Sequence, residues 1–247
     1  MAFTPDFRRL SNREAVRGAL GVSEDVFQAV LTFSPEAVVG KPEMEGGFYL
    51  ASSITIPVFF RHDIPKRNPA RGVRTVWEPS IEVKSVYKAL ARRLDLFFRA
   101  HLDGFPHDAA YGFRVGRNIR ENAAPHAGHR HLVATDIEDF FPSISVDRIQ
   151  GLFNELGCRK DAAQALAQFV TIGGELPVGL PTSPVISNAV ALPLDRDLAA
   201  LAATTGSTYT RYADDIALSG DVEPPSSEEI GRVLEAQGFC LAESKTR

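Results

Sequence analysis

The 247-residue sequence predicts an α+β fold, and three observations carry that prediction. Apolar spacing alternates along the chain between the strand period of two and the helical period of 3.6. The switches do not follow the strand–helix–strand regularity of a parallel sheet. No internal repeat or low-complexity tract is present, and the length suits one large domain or two small lobes sharing a core.

Residues 12–33 predict two short helices, with Val16, Leu20, Val26, Val30 and Leu31 as apolar positions and Gly21 and Ser23 between them. A Pro/Gly-marked loop runs to about Gly47. Residues 48–78 alternate in short runs broken by Pro57, Pro65 and Pro69, the pattern of strands and hairpins. From Ile81 to about Ala100 one stripe of Val83, Val86, Tyr87, Leu90, Leu94 and Phe97 predicts a helix. His131–Asp136 reads as a buried strand, Ser145 as the cap of a helix to Leu156, and 160–170 as a further helix. A Gly/Pro-rich loop leads to a helix with Ser183 and Pro184 in its first turn, which Pro193 should kink or interrupt. Tyr209–Tyr212 and Ile216–Ser219 are short strands around an Ala213-Asp214-Asp215 turn. Ser226 and Glu229 form a capping box for a last helix, with Ile230, Val233 and Leu234 inward and Gly238 at its end.

No run of 18 apolar residues occurs, so no spanning helix and no membrane partner are expected. The first residues lack the apolar core of a signal peptide. Cys158 and Cys240 have neither metal-ligand spacing nor the pattern of a disulfide framework. A reducing cytoplasm is the expected location. The net charge of −4 conceals an asymmetry: residues 61–130 hold 14 Lys/Arg against 7 Asp/Glu, leaving 13 against 24 elsewhere. A basic stretch suits phosphate contacts and an acidic remainder suits metal binding, although solvated arginines on helix faces would give the same count.

The strongest local signal is RYADDIALSG, Arg211 to Gly220, where two adjacent carboxylates sit at a turn between apolar strands. An isolated Asp-Asp pair is usually an exposed turn. The reading changes because another predicted strand, in HLVATDIEDFFPSI, ends in a third carboxylate, Asp136. Carboxylates at neighbouring strand ends repel unless a cation neutralises them. Magnesium takes one or two carboxylates plus substrate phosphates. Two ions about 4 Å apart can activate an attacking hydroxyl and stabilise a leaving oxygen. Asp136 and Asp214 are therefore the expected metal bridges, with Asp215 beside them, while Glu138 and Asp139 are expected to face solvent or cap the next turn.

These segments resemble the ordered motifs of reverse transcriptases. DIEDFFPSI is similar to motif A, GLPTSP (Gly179–Pro184) to motif B, YADD to motif C, and GFCLAESKTR from Gly238 to motif D, whose lysine is Lys245. IPKRNPARGVRTVWEP from Ile64 resembles the fingers segment, and the likeness covers about residues 48–247. Asn122-Ala-Ala-Pro-His126, RYADD and SPVISN resemble elements of bacterial retron enzymes. Asn122 and His126 have a purely structural reading, satisfying buried backbone groups beside the motif A strand. The remaining histidines, at 62, 101, 107 and 129, lack a metal-site pattern.

The resemblance implies a right-hand polymerase fold: an N-terminal helical segment 1–47, fingers 48–130, and palm 131–247 with an antiparallel sheet and interleaved fingers helices. It implies catalysis by Asp136, Asp214 and Asp215 with two Mg2+ ions, Ile137 joining the metal set. Lys66 and Arg74 match residues that hold the incoming triphosphate. Phe141 matches the aromatic gate against a ribose 2′-hydroxyl, Phe140 being the better core residue. Val178, Gly179 and Lys245 complete the nucleotide pocket.

Two departures stand out. Motif B reads Pro177-Val178-Gly179 where the family has Pro-Gln-Gly, which bears on fidelity or template use. The chain also stops at Arg247, just after motif D, so the family's thumb is expected to be absent. The expected consequence is weak, salt-sensitive duplex binding unless a longer chain, a second chain or a structured RNA supplies the missing wall. The implied activity is RNA-directed DNA synthesis of the retron type. It would use deoxynucleoside triphosphates, a noncoding RNA template and primer, and an RNA–DNA duplex product, in antiphage defence with an effector partner. Two alternatives are a non-retron defence enzyme with weakly templated synthesis, which Val178 favours, and a nonpolymerising scaffold, which the three carboxylates oppose.

Overall fold

A computed structural model of the chain describes residues 6–37, 58–66 and 72–242. The expected loop before Gly47, the strand signals of 48–57 and Lys245 lie largely or wholly outside those residues. The chain divides into two compact units, each discontinuous in sequence: Met1–Leu102 with Ile144–Ile186, and Asp103–Ser143 with Ser187–Arg247.

The first unit is helical with one hairpin. Helices α1 (Arg13–Leu20) and α2 (Glu24–Leu31) begin at side-chain caps, Asn12 accepting from the Ala15 N–H and Ser23 from Val26. Gly21 ends α1 in the left-handed region, as its position between two periodic runs suggests. The buried face of α2 is Phe27, Ala29 and Val30, whereas Val26 and Leu31 are only partly covered. Strands β1 (Phe59–Pro65) and β2 (Val73–Pro79) form an antiparallel hairpin, and α3 (Ile81–His101) follows directly.

Helices α5 (Val146–Glu155) and α6 (Lys160–Val170) pack together and complete the unit's core. That core is aromatic. Tyr87 of α3 stacks on Phe169 of α6 at 5.2 Å, Phe27 stacks on the same ring at 5.7 Å, and Phe98 stacks on Phe153 at 6.1 Å. The Tyr87 hydroxyl, fully enclosed, donates to the Phe169 carbonyl at 2.7 Å, as a buried phenol requires.

Helix α7 (Ser183–Val190) carries the chain into the second unit. Helix α8 (Leu192–Thr204) starts after a break at Ala191, with Pro193 in its first turn, so the proline restarts a helix rather than bending one. Strands β3 (His131–Asp136), β4 (Thr208–Tyr212) and β5 (Asp215–Gly220) form an antiparallel sheet in the order β3-β5-β4. The predicted three-residue turn is in fact two residues, Ala213 and Asp214, because Asp215 already pairs with Tyr212. A short helix α4 (Ile119–Ala123) opens on an Asn118/Glu121 capping box. The last helix, α9 (Ser227–Ala236), has the expected Ser226/Glu229 box, with Ile230 and Leu234 buried and Val233 only partly so. Helices and antiparallel sheets are thus mixed without a parallel crossover, which is the α+β class. Among the described residues, no helix is long and apolar enough to cross a membrane.

Candidate active site

The carboxylates gather where β3 ends and the β4–β5 hairpin turns. In the β3–β5 register Asp136 is the direct partner of Asp215, and in the β4–β5 register Asp215 faces Tyr212. Asp214 occupies the turn, and its carbonyl accepts the Ile137 N–H at 2.9 Å. Two acids directly opposite each other in a sheet repel and weaken the pairing. Asp136 is 3% exposed, so its charge is also poorly solvated. Asp215 is more open at the surface, yet desolvation by the surrounding protein raises its pKa above the ordinary carboxylate value.

Glu138 and Asp139 are exposed, and the Asp139 carbonyl accepts the Ser143 N–H at 2.8 Å in the following turn. Among the described residues, no three His, Cys, Asp or Glu side chains are gathered to hold a metal by themselves. Magnesium needs only one or two carboxylates and fills its shell with water and phosphate oxygens. An all-oxygen donor set of Asp136, Asp214 and Asp215 fits that ion in kind. Ile137 has a hydrocarbon side chain, so its backbone carbonyl is the only atom through which it could join a metal set.

The segment after Asp136 is fastened on its other side. Glu138 N–H donates to the Cys240 carbonyl, and Ala242 N–H to the Asp136 carbonyl, each at 2.8 Å. Phe140 is 3% exposed, against Phe239 at 5.8 Å and beneath the Arg211 guanidinium at 5.5 Å. Phe141 is half-buried, edge-on to Phe113 at 5.7 Å.

In the first unit the β1–β2 register sets Arg74 opposite Ile64, and Lys66 N–H donates to the Gly72 carbonyl at 3.0 Å. Alternation along the strand therefore puts Lys66 and Arg74 on one face of the hairpin near its tip. Arg74 is exposed. Val178 is half-buried, and its carbonyl accepts the Trp77 N–H at 2.8 Å. Gly179 has φ +110°, and a Cβ there would lie 2.4 Å from the Trp77 carbonyl oxygen. Both its conformation and its closeness to β2 require glycine.

The residues that hold the Asp214 turn have no role in the reading above. Arg211 is fully buried and donates through Nε and Nη2 to the Asp195 carboxylate, both at 2.7 Å. Nη2 also reaches Asn188 Oδ1 at 3.1 Å, and Nη1 donates to the Ala213 carbonyl at 2.9 Å. Burial alone would lower the guanidinium's pKa, but the Asp195 charge and hydrogen bonds outweigh it and raise it. The Tyr209 hydroxyl donates to Asp195 at 2.7 Å, and burial together with that carboxylate pushes its pKa well up. A signal existed: Asp195 falls in the apolar stripe of Leu192, Leu198 and Ala202, where an acid needs a buried partner.

His126 also differs from expectation. Its ring nitrogens meet Ser219 Oγ and Thr210 Oγ1, each at 2.7 Å, so it serves side-chain hydroxyls of β5 and β4 rather than backbone groups. Asn122 Oδ1 is buried without a hydrogen-bond partner.

A sheet that ends in carboxylates beside a tight hairpin is chemically suited to a cation, and comparison with known proteins identifies the chain's family. Residues 64–247 match the family model "Reverse transcriptase (RNA-dependent DNA polymerase)", and the chain belongs to that family. The retron Mx65 reverse transcriptase of Myxococcus xanthus is 38% identical over 206 residues, 74% of this chain and 46% of that protein. The retron Ec86 reverse transcriptase of Escherichia coli is 30% identical over 181 residues, 73% of this chain and 52% of that protein. The retron type that the motifs resemble is thus the type of these curated relatives. The chain spans about half the length of each. Among solved structures, telomerase from Candida albicans, in complex with a fragment of telomeric RNA, aligns with a TM-score of 0.50 at 11% identity. It covers 76% of this chain and 42% of that one, a likeness of fold alone.

Proposed function

We propose that this chain carries the fingers and palm of an RNA-directed DNA polymerase of the retron type, which copies a structured noncoding RNA into DNA. The observation that carries this reading is the register pairing of Asp136 with Asp215, with Asp214 in the adjoining turn. Asp136 and Asp215 are held opposite each other against their own repulsion, with Asp214 adjoining, and a cation would relieve it. Asp136, Asp214, Asp215 and the Ile137 carbonyl would hold two magnesium ions. When bound, these supply activation of the primer hydroxyl and stabilisation of the leaving oxygen.

The chain's own side chains do the rest. Lys66 and Arg74 neutralise and orient the triphosphate, with Lys245 a further basic contact. Phe141 excludes a 2′-hydroxyl by volume. Val178 and Gly179 line the nucleotide pocket, the glycine letting backbone approach closely. The partners under this reading are a noncoding RNA serving as template and primer, the RNA–DNA duplex formed from it, and deoxynucleoside triphosphates. An effector protein in antiphage defence completes the set.

Asp214→Asn removes one charge and keeps the shape. It is expected to abolish magnesium-dependent primer extension while leaving the metal-free thermal midpoint equal or higher, since repulsion falls. Retained incorporation would refute the reading. Val178 in place of glutamine favours a second reading, weakly templated DNA synthesis. Sequencing the copurifying nucleic acid separates the two: one RNA joined to its complementary DNA against random or homopolymeric DNA.

A further inference from the structure

We infer that Arg211, Asp195, Asn188 and Gly112 form a positioning device that sets the Ala213–Asp214 turn, so that Arg211 acts on the reaction through Asp214 without touching a reacting atom. The inference rests on the reading of Asp214 as a metal-holding carboxylate. Its evidence is the geometry of one guanidinium. Two of its nitrogens are engaged by Asp195, which already satisfies the charge of both partners. The third, Nη1, leaves that pair and ends on the Ala213 carbonyl at 2.9 Å, the peptide that leads into Asp214. A buried guanidinium needs acceptors for all its donors, and here the remaining arm finds its acceptor on the turn itself.

A second contact presses on the turn from elsewhere in the same unit. A Cβ on Gly112 would lie 2.4 Å from the Ala213 nitrogen and 3.1 Å from the Tyr212 carbonyl carbon. Backbone φ at Gly112 is outside the left-handed region, so glycine is needed there for space alone. The segment is tied to Arg211 on both sides: Arg211 N–H donates to the Ala109 carbonyl and Tyr111 N–H to the Arg211 carbonyl, each at 2.8 Å. Asn188 closes the loop, accepting from Arg211 and donating Nδ2 to the Gly112 carbonyl at 3.0 Å. Ala213 itself has φ +60°, a conformation that persists in an alanine only where surroundings impose it. The turn is thus clamped between a buried fork below and a close-fitting backbone beside it.

The device explains why arginine is needed. Lysine would keep the charge opposite Asp195 but has no planar fork to reach Asn188 and Ala213 together. The test compares Arg211→Lys, Gly112→Ala and Asn188→Ala with the unsubstituted chain. Two readouts are used: primer extension resolved into kcat and KM for the nucleotide, and titration of the thermal midpoint with magnesium without substrate. A misplaced carboxylate lowers kcat on the order of tenfold to a hundredfold, with KM little changed. The magnesium-induced rise in midpoint moves to higher concentration in the same variants. Arg211→Lys alone could fail by unfolding. Gly112→Ala and Asn188→Ala leave every buried charge in place and decide the matter in that event. Folded variants with unchanged kcat and an unchanged magnesium midpoint titration overturn the positioning role. Asp214→Asn run alongside separates this failure from that of the underlying reading, because its activity depends on Asp214 and not on the clamp.

Discussion

Asp195→Ala tests how much of the second unit's stability hangs on one buried charge. Arg211 and Asp195 are both fully enclosed, with side chains 0% exposed, and their contacts are short. Removing the carboxylate leaves an arginine that cannot shed its proton at any pH the protein survives. Breaking a buried pair in this way costs about 3–5 kcal/mol. The Tyr209 hydroxyl loses its acceptor as well, adding about 1 kcal/mol. The expected loss is therefore about 4–6 kcal/mol, comparable to the whole stability of many domains. At about 2–4 °C per kcal/mol for a chain of this size, the midpoint should fall by about 8–24 °C in calorimetry. Replacing both partners, as Arg211→Met with Asp195→Leu, removes the orphaned charge and should recover most of that loss. The double variant should nevertheless polymerise poorly, since nothing then reaches the Ala213 carbonyl. A single variant losing less than about 1 kcal/mol, or a double variant losing as much as the single, would show that the pair is not the buried, mutually dependent unit described.

Three other outcomes follow. Phe141→Ala should let ribonucleotides compete better with deoxyribonucleotides, and since Phe140 keeps the contacts to Phe239 the fold should survive; an unchanged sugar preference in an active variant sinks the gate. Val178→Gln should raise the ratio of correct to mismatched incorporation, because the half-buried site leaves the amide access to water and only the Val178 carbonyl is used by Trp77; a fall in that ratio counts against it. Burial lowers the His126 pKa below 6.5, so as acid is added the unfolded state takes up the proton first. The stability linked to His126 is thus complete above 6.5 and lost as pH falls towards the folded value. His126→Gln should flatten the pH dependence of the thermal midpoint in that range, and an unaltered slope would exclude the linkage.

Much of the fold could be read from local rules because the caps are local. Ser145 and Ser226, read as caps from spacing, accept from backbone N–H groups three residues on, as Asn12 and Ser23 do too. The aspartate-bearing hairpin was legible for the same reason. Helix α4 obeys the same capping rule through Asn118 and Glu121, but its five residues are too few to show a helical period. The clamp behind Asp214 was not legible, although Arg211 and Asn188 lie in recognisable motifs. Its contacts join residues 16 and 23 positions apart, and the Asn188–Gly112 bond spans 76. No periodicity encodes such distances. His126 misled for a related reason, its partners lying 84 and 93 residues further on.

The strand order β3-β5-β4 has a consequence for synthesis on the ribosome. The central strand is the last of the three to be made, and β3 and β4 each pair with it and not with each other. Asp136 and its partner Asp215 are separated by 79 residues of translation. At about 5–20 residues per second, β3 waits roughly 4–16 seconds with an unpaired edge. The strand ends in Asp136 and is preceded by Arg130, charges that discourage pairing with another nascent chain. Only when β5 pairs with β3 do Asp136 and Asp215 come opposite each other. The carboxylate pair therefore cannot form until β5 has been made, and its repulsion is absent while the earlier strands are synthesised.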